Sequence, residues 1–463
     1  MKKYIDLIEQ TFEFPQQEFK VVENQLHFNN VPLMPIIEEY GTPLKLTYLP
    51  KIGENIKYAQ RIFNNAIKKH NYEGQYTYCY CTKSSHFSFV LNEATRHNIH
   101  IETSSSYDIP IVRKLYEKGK IHKDTYIVCN GFKRPLYKQF ITGLLNDEFK
   151  NCIPVLDNLN ELSHYEDHVT GPYDVGIRVA ADEEPNFEFY TSRLGIRYND
   201  INALYREQIR PSKKARLKML HFFINTGIKD SAYYWSELSR FIFKYCELKK
   251  ECPDLDTIDI GGGFPIKTSL GFHFDYKYMV EQIIENIKWI CGKNNVPVPH
   301  IFTEFGSYTV GESGAILYSV IDQKLQNDKE LWYMIDGSFI THLPDAWGLN
   351  QKYILLPVNK WNNLYHKVNI GGLTCDSMDY YNSEAHTSEL FMPMNDENDK
   401  QQLYMGFFHT GAYQESLGGY GGIQHCLIPA PKHVLVDKVK GEIQTCLFAE
   451  EQTSESMLAT LGY

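Results

Sequence analysis

Five groups of residues have the types and placement to do chemistry, and each directly follows or lies within a short β-rich run. Lys83 follows the run YTYCYCT at 76–82. An amine at a strand tip can attack a carbonyl, or it can be a solvated surface lysine. Glu102 sits near the end of IHIET at 99–103, ahead of Ser104, Ser105 and Ser106, which can cap the helix expected from Tyr107. Arg178 lies in DVGIRVA at 174–180, where a guanidinium either pairs within the protein or holds an anionic group. Gly261, Gly262 and Gly263 follow TIDI at 257–260. Three such residues let backbone N–H groups approach a phosphate, although a plain Gly-rich turn is the commoner use. Glu304 closes HIFTE at 300–304, where a carboxylate can bond a protonated ring nitrogen or serve as a partnered loop acid.

The elements that must position these groups read as alternating helices and strands. An amphipathic helix comes first, with Ile56, Ala59, Ile62, Phe63, Ala66 and Ile67 at helical spacing. Besides the five runs above, TYIVC at 125–129, CIPVL at 152–156 and KMLHFFI at 218–224 bring the count of β-rich runs to eight. Helical stretches are expected at 85–96, 107–118, 134–145, 229–249 and 276–291. Such alternation implies parallel strands, and eight units match an α/β fold of the (β/α)8 TIM-like barrel type. A doubly wound open sheet is the structural alternative. Counting by twos puts Cys79, Cys81 and Lys83 on one face of the first strand and Tyr78 and Tyr80 on the other. Chemistry in a parallel barrel sits where strands end and βα loops begin. An amine, carboxylates, a guanidinium and a phosphate cradle gathered there are what pyridoxal 5'-phosphate requires.

The rest of the chain reads differently. Residues 18–33 alternate and end in a Pro turn, and runs such as ILYSVIDQKL, LWYMIDG, QLYMGFF and HVLVDK after about 311 form an all-β pattern, with a solvated turn at 394–401. The expected organisation is an N-terminal segment, 1–45, joining the β domain; a cofactor-binding barrel, 46–310; and a C-terminal β-rich domain, 311–463. Among the 463 residues, 47 Lys and Arg stand against 57 Asp and Glu, for a net charge of −10. That balance disfavours nucleic acid as the partner, which needs clustered cations. No run approaches the ~20 apolar residues of a membrane span. MKKYIDLIEQTFEF lacks the apolar core of an export signal. The ten cysteines are too sparse for a disulfide scaffold and read as reduced thiols in a cytoplasm. Neither Cys79-x-Cys81 nor His97-x-x-His100 has a second pair at zinc spacing, so no metal is expected.

The sequence resembles the alanine racemase-fold (fold type III) pyridoxal-phosphate decarboxylases that act on ornithine, diaminopimelate and arginine, over nearly its whole length. The resemblance is carried by YGTPL at 40–44, CTKSS around Lys83, IDIGGGFP at 258–265, TEFG at 303–306, LTCDS at 373–377 and GAYQESLGG at 411–419. VCNGFK at 128–133, LPDAW at 343–347 and GFFHTGAYQESLG at 406–418 are similar to the biosynthetic arginine decarboxylase branch in particular, whose known members are longer. The resemblance implies that Lys83 carries the cofactor covalently and that Glu304 pairs with its pyridinium. Gly261, Gly262, Gly263 and Tyr413 would hold the phosphate, with Glu102 and Arg178 near the ring and the lysine. It further implies that Cys375 reprotonates the α-carbon and that Asp376 faces the distal cation of a small amino-acid substrate. Asp379 either adds negative charge or forms a turn. A head-to-tail homodimer with shared active sites is implied as well.

Two motifs depart from the family pattern. Ser307 stands where an arginine follows the glutamate motif, and Phe223 and Asn225 stand in HFFINTG at 221–227 where a stacking histidine and a glycine are usual. Phenylalanine can still stack on a ring. The expected reaction is decarboxylation of a basic L-amino acid, arginine to agmatine and carbon dioxide foremost, as in polyamine biosynthesis. The alternatives are ornithine, lysine or diaminopimelate as substrate, a racemase, or a catalytically dead regulatory homologue.

Overall fold

Through the middle of the chain the β-branched and aromatic runs pair side by side, and the amphipathic segments between them bury one stripe each. A computed structural model describes residues 16–181, 192–224, 228, 231–385, 387–396 and 399–463. The expected N-terminal reading of MKKYIDLIEQTFEF, Asn225, the first residues of the helix expected from 229, and the centre of the turn expected at 394–401 lie outside the described residues.

The chain divides into two units, one of which comprises Gly53–Pro265 and Phe274–Thr309. Its strands are β1 (Tyr76–Cys81), β2 (His100–Thr103), β3 (Ile127–Cys129), β4 (Cys152–Leu156), β5 (Tyr173–Arg178), β6 (Ala215–His221), β7 (Thr257–Asp259) and β8 (His300–Phe305). Every neighbouring pair is parallel, and β8 closes on β1 with Ile301 opposite Tyr76. The sheet is therefore a closed eight-stranded barrel, and the open-sheet alternative falls.

The helix Leu49–Lys69 buries Ile52, Ile56, Ala59, Phe63 and Ala66, one stripe at helical spacing. It ends on Lys68 and Lys69, which suit the negative end of the helix dipole, and Asn71 turns the chain at φ 47°. The helix Tyr276–Lys293 starts at Asp275, whose carboxylate accepts the N–H of Tyr278 at 2.9 Å.

Two local expectations change. Lys83 does not continue the alternation of β1, because Thr82–Ser84 form a 3-10 turn. Ser84 Oγ donates to Cys81 O at 2.8 Å and Tyr80 Oη donates to Ser85 O at 2.8 Å, closing that turn. The serine cluster does not cap through its hydroxyls either. The helix runs from Asp108 to Glu117, and the Asp108 carboxylate accepts the N–H groups of Ser104 and Ser105 at 2.8 and 2.9 Å.

The other unit comprises the chain up to Ile52, Ile266–His273 and Val310–Tyr463. A ten-stranded sheet is organised around the long strand Gly314–Gln326. That strand pairs antiparallel with Leu44–Tyr48, Glu330–Ile335 and Tyr404–Phe408. Phe19–Val22, Gln25–Phe28 and Val31–Pro32 form a small separate sheet. The rings of Phe19 and Phe28 pack on Phe408 with centroids 5.0 Å away in each case. The all-β expectation for this part is corrected by the helices Phe339–His342, Pro344–Gly348, Gln414–Gly418 and Ser454–Leu461. Ser338 and Thr453 cap the first and last through their side chains, and Pro344 opens the second.

Candidate active site

Inward-facing side chains recur every second residue along a strand. Cys79, Val128, Ile153, Val155, Met219 and Phe302 pack together as an apolar plug inside the barrel. Two residues further along the same faces stand Cys81, Asn130, His221 and Glu304, and Asp259 occupies the end of β7. The C-terminal mouth of the barrel is thus a polar layer resting on a dry one.

Lys83 Nζ lies 3.1 Å from Glu102 Oε2; its side chain is 43% exposed while that of Glu102 is fully buried. Burial pushes the Glu102 carboxyl up, and the nearby Lys83 charge holds it back only in part. Glu304 is held from both sides. His221 Nε2 is 3.1 Å from its Oε2, and Asn130 Nδ2 donates to its Oε1. Burial by itself raises the Glu304 carboxyl. The charge and hydrogen bond of His221, the Lys83 charge and a hydrogen bond with Asp259 outweigh it and bring the pKa down to about 2. Asp259 moves the other way, well above the usual carboxylate range, through burial and the Glu304 charge. The two carboxyls are driven in opposite directions, Glu304 toward the ionised form and Asp259 toward the neutral one.

Gly261 donates its N–H to Asp259 Oδ1 at 2.8 Å and adopts φ 67°. A β-carbon there would lie 2.7 Å from Phe222 O, and one on Gly262 would strike Glu304 O. The loop after β7 has to be side-chain-free at both positions. Phe223 follows β6 and is 40% exposed, and the Arg178 guanidinium covers its ring at 5.7 Å from the centroid. Lys83, Glu102, Arg178, Phe223, Gly261, Gly262, Gly263 and Glu304 all fall at this one end of the barrel. Ser307 opens the four-residue helix Ser307–Val310.

Cys375, Asp376 and Tyr413 belong to the other unit. Cys375 and Asp376 are exposed on a loop built by Asp379. Asp379 accepts from Phe339 N at 2.7 Å, Thr374 N at 2.9 Å and Thr374 Oγ1 at 2.6 Å, so it is a turn-forming residue. Tyr413 has φ 68° at the start of the helix Gln414–Gly418. Next to it, Gln414 Nε2 donates to Asp345 Oδ2 at 2.7 Å, tying GAYQES to LPDAW.

Asn130, His221 and Asp259 were not among the sequence candidates. The signal was the period-two rule: Val128 leads to Asn130 and Met219 to His221 beyond the apolar plug, and buried Thr257 leads to Asp259.

Among the described residues, two buried atoms in this layer, Asn130 Oδ1 and His221 Nδ1, have no hydrogen-bond partner. Buried polar atoms are normally satisfied, so these point to a polar guest. Together with an accessible amine and a side-chain-free loop they fit pyridoxal phosphate. The chain belongs to the pyridoxal-dependent decarboxylases: residues 55–311, more than half of it, match the model of that family's pyridoxal binding domain. It is 22% identical over 503 residues to a biosynthetic arginine decarboxylase of Prochlorococcus marinus, covering 82% of this chain and 76% of the relative. Arginine decarboxylase 2 of Arabidopsis thaliana is 21% identical over 86% of this chain and 70% of its own. Among solved structures, the biosynthetic arginine decarboxylase of Campylobacter jejuni superposes with a TM-score of 0.81 at 18% identity, covering 97% of this chain and 89% of that one. Diaminopimelate decarboxylase of M. jannaschii gives 0.76 at 17% identity, covering 95% and 96%. No helix among the described residues is long and apolar enough to cross a membrane.

Proposed function

We propose that this decarboxylase converts arginine to agmatine and carbon dioxide. The observation that carries the cofactor chemistry is the accessible Lys83 amine beside buried Glu102, in the same polar layer as an ionised Glu304. Arginine as substrate is favoured by the relatives' activities and by Asp376. A carboxylate takes a guanidinium through two parallel hydrogen bonds.

In this reading residues 46–310 hold the cofactor, and residues 1–45 and 311–463 form the β domain. Bound pyridoxal phosphate supplies a sink for the electron pair left on the α-carbon when the carboxylate departs. Lys83 would hold the cofactor through its aldehyde carbon, with the aldehyde oxygen leaving as water, and Glu102 would receive and return protons at Lys83 Nζ. Glu304 keeps a ring nitrogen protonated. Arg178 and Phe223 would lie near the ring, and the N–H groups of Gly262 and Gly263, shaped by Gly261, would hold the phosphate with Tyr413. Cys375 gives its thiol proton to the α-carbon, and Asp376 orients the distal cation. The chain acts as a cytoplasmic homodimer with shared sites.

The test is carbon dioxide release from arginine, ornithine, lysine and diaminopimelate by protein loaded with pyridoxal phosphate. Release from arginine at the highest kcat/KM is expected. Release from another of the four in preference to arginine overturns the substrate. A protein that stays colourless with the cofactor and releases nothing would be a catalytically dead homologue, the reading that Ser307 and Phe223 favour.

A further inference from the structure

Outside the barrel mouth, a second group of ligating side chains converges on Cys375. Cys375 Sγ lies 3.6 Å from Cys426 Sγ. His425 joins them, with one donor atom from each residue within 4.8 Å of the others, and all three are exposed. Two thiolates on a tetrahedral zinc ion, each at 2.3 Å, stand roughly 3.8 Å apart. The thiols are therefore already near the spacing that zinc imposes, and farther apart than the ~2.05 Å of a disulfide.

The backbone favours this convergence. Consecutive side chains ordinarily diverge, but Cys426 has φ 53° and ψ 21° and Leu427 has φ 52°, a left-handed turn uncommon outside glycine. That turn aims both His425 and Cys426 at one point. Two thiolates and an imidazole are a borderline-soft donor set suited to zinc, and their two negative charges neutralise a divalent ion.

We propose that Cys375, His425 and Cys426 form a zinc site with three protein ligands and one open position. Zinc binding displaces the thiol protons and tightens as pH rises. The site stands on its own geometry. Its consequence for turnover rests on the proposed role of Cys375: a thiolate held by zinc has no proton to deliver, so zinc inhibits reversibly.

The experiment titrates zinc chloride calorimetrically into reduced holoenzyme, then takes the zinc X-ray absorption spectrum of the one-equivalent complex. The expected result is one zinc per chain with two sulfur neighbours at roughly 2.3 Å. Cys426→Ser should weaken binding more than about a hundredfold, and His425→Ala at least about tenfold. Cys446→Ser, at another exposed thiol, should leave it unchanged. Absence of stoichiometric binding, a spectrum with fewer than two sulfurs, or equal affinity in Cys426→Ser overturns the site. Decarboxylation by Cys426→Ser should persist in zinc that silences the wild type. Zinc that binds without inhibiting would uphold the site and overturn the role of Cys375.

Discussion

His221 Nε2 and Glu304 Oε2 stand 3.1 Å apart, both side chains almost wholly buried. This contact opposes the burial that would otherwise protonate Glu304. Glu304→Gln keeps the shape and removes the charge. The expected outcome is a fall in kcat of at least about a hundredfold, with cofactor still captured on Lys83. Borohydride reduction and steady-state kinetics measure the two separately, and an unchanged kcat would remove Glu304 from the electron sink.

Lys83→Ala should abolish covalent capture. Reduction with borohydride in the presence of pyridoxal phosphate should add the cofactor's mass to a peptide spanning Lys83 in the wild type and to none in the variant. The substitution also leaves the fully buried Glu102 without its cation, so melting temperature should fall as well. A labelled variant would place the reactive amine elsewhere.

Phe223 carries a ring where an imidazole is usual in the family. Loss of stacking in Phe223→Ala should weaken cofactor retention about fivefold, in line with ~1 kcal/mol for an aromatic pair. Phe223→His should retain cofactor, judged by the dialysis rate of bound cofactor. Equal retention in Phe223→Ala would mean that the ring touches only Arg178.

Asp376→Asn probes the substrate's far end. A charged hydrogen bond is worth roughly 1.5–3 kcal/mol, so KM for arginine should rise about ten- to a hundredfold with a smaller change in kcat. A change confined to kcat would assign Asp376 to the chemical step instead.

Acid should destabilise the β unit through two buried histidines. Burial, reinforced by the Lys45 charge, lowers His342 to about 3. Burial likewise lowers His433 to about 4, with Glu415 opposing and Lys45 adding. Both folded values lie below the ordinary 6.5, so the unfolded chain takes up protons first as pH falls. The stability they confer is complete above about pH 6.5 and is lost progressively toward 4 and 3. Melting temperature between pH 7 and 4.5 should fall, and less steeply in His433→Asn. An identical slope in the variant would discount His433.

The barrel was legible because eight apolar runs carry the strand signal and because Lys83 and Glu304 stand visibly at run ends. Asn130 lies one residue past the run at 125–129, while His221 and Asp259 are harder to read because their strands end before the apolar runs do. The run at 218–224 suggests a strand ending at Ile224, but β6 ends at His221, after a register shift between Leu217 and Met219. His221 therefore looked like a mid-strand residue when it lies on the rim. The helices at Phe339–His342 and Pro344–Gly348 are too short to show a period, and local caps at Ser338 and Pro344 decide them. Asp379 looked like an extra charge, and only the three donors around it identify it as a turn former.

The plug of Cys79, Val128, Met219 and Phe302 makes the cylinder a cul-de-sac. Whatever is made at its rim has to depart by the route along which the next molecule arrives. Arrival and departure therefore share the face where the strands end, and no molecule crosses the cylinder.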